Sequence, residues 1–223
     1  MNITGRWFCA MVLGLLVLSG TASLASVETF EARWDIVSIQ GADAMPGGVA
    51  HAMARDGMLI TFTGSGAFVA RAGETGKARS VTGGGTWQIG GLTGSEGTYS
   101  VIDVVAFQPG PTRPPGTPAP ENDLVGDPDE ASAGFAVLRI AYSDGSEGLL
   151  VVSCRLQGTL DGNFQQDTAM MFEGVTATKG VAQFWRNFPI GDSNRALFHI
   201  RARGHDDDDD SEGRDRPTRT IKR

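Results

Sequence analysis

Apolar and polar residues alternate along most of this chain with a period of two, which predicts strands rather than helices. In "FEARWDIVSI" (30–39), Phe30, Ala32, Trp34 and Ile36 share one face, and Glu31, Arg33 and Asp35 the other. In "GMLITFTGSGAFVA" (57–70), Met58, Ile60 and Phe62 oppose Thr61 and Thr63. "SVTGGGTWQI" (80–89), "GTYSVIDVVAF" (97–107), "GFAVLRIAY" (134–142) and "GLLVVSCRL" (148–156) read the same way. The apolar stretch "MMFEGVTATKGVAQFW" (170–185) and "RALFHIRA" (195–202) complete a set of about eight strands. The 170–185 stretch is expected to be a late strand or strand pair, with Gly174 and Gly180 relieving curvature.

The connections favour antiparallel neighbours. Asp144-Gly145 inside "YSDGSEG" (142–148) is a strong hairpin signal, and "GGLTGSEG" (90–97) joins its flanking strands in the same way. The pattern therefore predicts an all-β fold, an up-and-down antiparallel barrel of about eight strands, with a two-sheet sandwich as the competing solution. The triplet Gly83-Gly84-Gly85 has no helical pattern behind it and predicts a bulge or kink in a curved sheet rather than a dinucleotide site.

Composition adds boundaries. Residues 1–25 have a basic residue, an apolar run and a small-residue site in the order of a secretory signal peptide, with an apolar core too short for a membrane anchor. Secreted or periplasmic localisation is the expectation, with a barrel domain over 26–202 and no membrane span after cleavage. Of the two cysteines, Cys9 lies in the leader, so Cys154 is expected as a lone buried thiol. The interval 108–133 holds seven of the ten prolines and predicts a long surface loop, with a lid over a barrel mouth as the sharper alternative. Residues 203–223, an acidic block and then a basic one, predict a disordered tail. A net charge of −7 without a basic stripe argues against nucleic acid as a partner.

Known catalytic arrangements are missing from the sequence. The histidines are His51, His199 and His205, and no zinc, phosphate-loop or nucleophile-elbow motif is found, so no metal and no cofactor is expected. What remains are charges inside apolar strands. Strict alternation puts Asp103 with Tyr99, Val101, Val105 and Phe107, Arg139 with Phe135 and Val137, and Glu173 and Lys179 with Val175, Ala177, Val181 and Trp185. Either these faces point to solvent, or Asp103, Arg139, Glu173 and Lys179 converge with Tyr99 and Trp87 in a lumen that binds a ligand. In the first case Ile102, Val104, Leu138, Ile140 and Tyr142 fill the core.

The motifs "TGGGTW" and "GSEGTYSV", and the block "AGFAVLRIAYSDGSEGLLVVSC" followed by "FEGVTATKGVAQFW", resemble the secreted β-barrels of the allene oxide cyclase and dirigent kind over about residues 28–202. The resemblance implies a closed barrel with a hydrophobic lumen, in some members a dimer or trimer, so a homo-oligomer is among the expectations. No catalytic motif of that family aligns here, and the proline-rich interval departs from its compact pattern. Three functions remain open: a module binding a small lipophilic ligand in its lumen; a cofactor-independent cyclase or isomerase that confines a reactive intermediate; and a structural or surface-interaction protein with a filled barrel.

Overall fold

The computed structural model describes residues 28–41, 43–71, 80–90, 95–112, 122–155, 173–186 and 193–203. The predicted signal peptide, the tail beyond Arg203 and the centre of the proline-rich interval (113–121) lie outside the described residues. The described chain is all-β, as its alternation predicts, and forms one large sheet. Its thirteen strands are β1 (Thr29–Gln40), β2 (Asp43–Pro46), β3 (Ala50–Met53), β4 (Leu59–Phe62), β5 (Ser65–Arg71), β6 (Ser80–Ile89), β7 (Glu96–Thr112), β8 (Asn122–Asp123), β9 (Ala131–Tyr142), β10 (Glu147–Cys154), β11 (Gly174–Lys179), β12 (Ala182–Arg186) and β13 (Arg195–Arg203).

The β9–β10 hairpin turns at Gly145, which takes a φ of 86° at no steric cost. β6 and β7 pair next to each other, as the short connection predicts. The 170–185 stretch does hold a strand pair: β11 and β12 are joined through Gly180 at a φ of 57°. The predicted strand over 57–70 is split. β4 and β5 lie along the same edge of β6, and the break falls at Thr63-Gly64, where a Cβ on Gly85 would lie 2.7 Å from the Cα of Gly64. The glycine triplet thus lets two backbones touch.

Two features differ from a plain meander. β8 runs parallel to β2, pairing Asp43 with Asn122. The pairing order β10-β11-β12-β3-β4-β6-β7-β9 also returns to its start, because β9 pairs β10. A second circuit through β13, β1 and β5 shares β6, β7 and β9. Strands also reach into the proline-rich interval from both ends: β7 extends to Thr112, β9 begins at Ala131, and Val125 is buried. The loop expected over 108–133 is therefore shorter than its prolines suggest.

Alternation places Ala32, Trp34 and Ile36 of β1, Ile60 and Phe62 of β4, Leu138, Ile140 and Tyr142 of β9, and Leu150 and Val152 of β10 in one buried core. Rings meet within it. Phe107 packs edge-on against Phe68 at 5.0 Å and Phe30 at 6.3 Å, and Phe62 packs edge-on against Tyr99 at 5.6 Å. Cys154 is a free, buried thiol, as expected, and burial pushes its pKa well up.

Candidate functional site

The four charges proposed for a shared lumen site occupy three separate places. Asp103 and Arg139 do meet, at 3.2 Å, but on the outer face of β7 and β9, where Arg139 is half exposed. Strict alternation misplaces Asp103 because β7 carries register shifts between Val101 and Asp103 and again between Val104 and Ala106. Each extra residue turns the following side chains over. Tyr99, Val101, Val104 and Phe107 therefore point inward, while Ile102 is exposed and Asp103 turns out. An ion pair so exposed contributes at most about 1 kcal/mol.

Glu173 sits at the start of β11 and serves the backbone. Its two carboxylate oxygens accept from the amides of Arg155 at 2.7 Å and Ala196 at 2.8 Å, linking the end of β10 to the start of β13. Lys179 lies at the opposite end of β11. Its Nζ stands 4.3 Å from the ring centroid of Trp87 and 4.6 Å from that of Tyr142, and the two rings meet edge-on. Nζ also donates to Asp144 and, at 2.7 Å, to Ser146 Oγ, both in the β9–β10 hairpin. The Lys179 ammonium, helped by the Ser146 hydroxyl and amide, holds the Asp144 carboxyl down at about 2. Tyr142 donates to the Thr178 carbonyl at 2.8 Å and Trp87 to the Thr98 carbonyl at 3.2 Å. Of the six predicted residues, Lys179 and Trp87 come together here. Tyr99 is tied to the Thr63 carbonyl at 2.9 Å, and burial raises its pKa. Lys179 does not share a face with Val181 and Trp185: the turn at Gly180 lies between them, and Val181 and Trp185 are exposed. The arrangement is a satisfied cation clamp at one end of β11.

The most deeply buried carboxylate and imidazole side chains among the described residues are Asp123, His199 and Asp35, of which alternation places Asp35 away from the apolar face of β1. On the outward side of β1 and β13, Arg33 faces His199 in register and grips Asp35 through two bonds of 2.8 and 3.0 Å. His199 Nε2 donates to Asp123 Oδ2 at 2.8 Å, and Asp123 Oδ1 accepts from the amides of Val125 and Gly126. The Asp123 and His199 side chains are 0% and 3% exposed, so this pair is sealed rather than open to a substrate. The cover is the 122–130 segment. It is fixed by β8 along β2, by Leu124 N donating to the Ala44 carbonyl, and by Ile200 N donating to the Glu130 carbonyl. Burial raises the Asp35 pKa, and Arg33 offsets part of that rise. His199 Nδ1 is buried without a partner. The sequence signal for this clamp is slight: an Asp followed by Leu-Val-Gly, a turn in which a carboxylate accepts its own downstream amides.

Apart from Glu147 at the start of β10 and His51 on β3, the outward positions on β10, β11, β12, β3 and β4 carry apolar or uncharged polar side chains. Val151 faces Thr176 in register, Leu149 donates its amide to Thr178 Oγ1, and Trp185 pairs with Met53, which pairs in turn with Leu59. Met53, Leu149, Val181 and Trp185 are exposed. No group of three or more His, Cys, Asp or Glu side chains among the described residues could hold a metal. Comparison with family models, curated proteins and solved structures finds no match to the chain.

Proposed function

We propose that the sheet is a closed β-barrel filled by its own side chains, and that the protein acts from its outer surface as an interaction module. The observation that carries this reading is the aromatic interior. Trp34, Phe62, Phe68, Phe107, Phe184 and Phe198, from β1, β4, β5, β7, β12 and β13, are all fully buried. Phe62, Phe107 and Phe184 belong to the eight-strand circuit, a size whose interior side chains alone can fill, and Trp34, Phe68 and Phe198 to the second circuit that shares β6, β7 and β9 with it. A lipophilic ligand in the lumen, or a confined reactive intermediate, would have to displace these rings. The clamp at Lys179 supports the same reading, since its ammonium is already held by two rings, a carboxylate and a hydroxyl. Secreted or periplasmic placement belongs to the same proposal and rests on the leader-like residues 1–25.

The test is a titration of the native protein with a long-chain fatty acid, followed by Trp fluorescence. Trp34 and Trp87 lie in the core and report on its occupancy. The filled interior predicts no saturable change. A saturable one-to-one change that also raises the melting temperature would establish a lumen ligand instead.

A further inference from the structure

We propose that the uncharged outer face of β10, β11, β12, β3 and β4 is where a second copy of this chain docks; this rests on the reading of the barrel as acting from its outside. Four side chains stand out from that face: Val181 is 101% exposed, Trp185 61%, Met53 41% and Leu149 37%. They lie close together. Val181, Gln183 and Trp185 follow one another at alternate positions beside β12, and Trp185 pairs with Met53. Gln183 pairs with Thr178, whose hydroxyl binds the Leu149 amide.

Size and charge both favour a second copy. The four side chains expose on the order of 400 Å² of apolar surface, at the upper end of what a monomer leaves bare. A standard interface buries about 800 Å² per partner, a little over half of it apolar, so the patch suits one side of such a contact. A two-fold contact sets a patch against itself, and any charge within it would meet its own kind. Here the outward residues Leu149, Val151, Thr176, Thr178, Gln183, Trp185, Met53, Leu59 and Thr61 include no carboxylate, ammonium or guanidinium, and the imidazole among them, His51, is bonded to Thr61 Oγ1 at 3.0 Å. The nearest lysine, Lys179, is held against Trp87 and Tyr142. Charges stand at the margin instead, at exposed Glu147 and Arg139 and at Arg55 and Asp56 in the turn between β3 and β4. That is an apolar centre with a polar rim. The opposite side of the sheet, over β1 and β13, is unsuited to such a contact because the 122–130 segment covers part of it and the rest carries exposed Glu31, Arg33, Arg201 and Arg203.

The experiment is sedimentation velocity of the full chain over a dilution series, at low and at moderate salt, beside Trp185→Arg and Val181→Lys. The wild type is expected to run as a dimer that dissociates on dilution. Added salt should hold or strengthen the dimer, because two copies of net charge −7 repel each other until screened. Trp185→Arg should weaken the dimer about 30-fold or more, as loss of a central Trp does, with a melting temperature equal to the wild type's at dilutions where both are monomers. Val181→Lys, at a turn position, checks the same face without touching a strand interior. A chain that stays monomeric throughout, variants that dimerise as tightly as the wild type, or a monomer that co-sediments with phosphatidylcholine vesicles each overturns the proposal. A monomer that still ignores fatty acid overturns the dimer alone. Uptake of fatty acid overturns the filled-interior reading, whatever the oligomeric state.

Discussion

Over β1 and β13, the outward residues Asp35 and His199 lie under the chain's own 122–130 segment. Over β10, β12 and β3, the outward residues Leu149, Trp185 and Met53 face solvent. Asp35 and His199 are thus polar residues covered by the chain's own segment, while Glu31, Arg33 and Arg201 beside them stay exposed, and on the other side four large apolar groups are bare. The covered side is held together by pairing. Each buried carboxylate has its cation or amide donors, so the polar groups fix where the segment sits rather than adding much net stability. Among the described residues the bare side has no such internal partner. Hydrogen-bonded polar pairs beneath a covering segment mark an intramolecular contact; on the proposal made above, the open row marks an intermolecular one.

The contrast breaks most sharply at Asp123. Asp123→Ala leaves His199 Nε2 and the amides of Val125 and Gly126 without their acceptor in a sealed site. A loss of about 3 kcal/mol or more is expected, read from the urea midpoint at constant slope. Asp123→Asn keeps an acceptor and should lose clearly less. A loss below about 1 kcal/mol for the alanine variant would mean that the segment is not clamped.

At the Lys179 clamp the effect is smaller. Lys179→Met removes the ammonium from two ring faces, at an expected cost of about 1–2 kcal/mol in thermal or urea unfolding. Its partner adds a pH signature. Asp144 is held at about 2, below the ordinary carboxylate value near ~4. Its contribution is therefore complete above ~4 and is lost as pH falls through about 2. Asp144→Asn should flatten that acid limb. Asp35 has the opposite sign, because burial raises its pKa. Its contribution is present in acid and lost as pH rises through the raised value, so wild type should gain on Asp35→Asn as the solution is acidified. Stability curves of the two variants between pH 2 and 7 check both signs.

The smallest expected effect on folding is on the bare side. Trp185→Arg should change the monomer's stability by no more than ~0.5 kcal/mol, since no core contact is lost. A large loss would place Trp185 in the fold rather than at an interface.

Much of the fold was legible in the sequence, and little of the site. β6 matches its predicted range because its flanking turns are unambiguous, and the inward set Ala32, Trp34 and Ile36 follows from plain alternation. Alternation fails where the backbone breaks period. The shifts in β7 send Asp103 outward, and the Gly180 turn separates Lys179 from Val181 and Trp185. The Asp123–His199 pair could not be read because its members lie 76 residues apart, one of them within an interval dominated by proline. Alternation reports which face a residue takes, not whether a distant segment will cover that face. Asp35 was placed on the correct outward face yet ends up buried.

The central claim is that the interior is already full, and Phe107 tests it most directly. This ring contacts Phe30, Phe68 and Phe198, and removing it should leave a dry apolar space able to hold a small aromatic molecule. Melting temperatures of the wild type and of Phe107→Ala would be measured with and without benzene. The account predicts that Phe107→Ala is less stable by about 3–5 kcal/mol and is raised by benzene, while the wild type is unmoved. A wild type raised by benzene as much as the variant would contradict the filled-interior reading, because the core would then hold a space of its own.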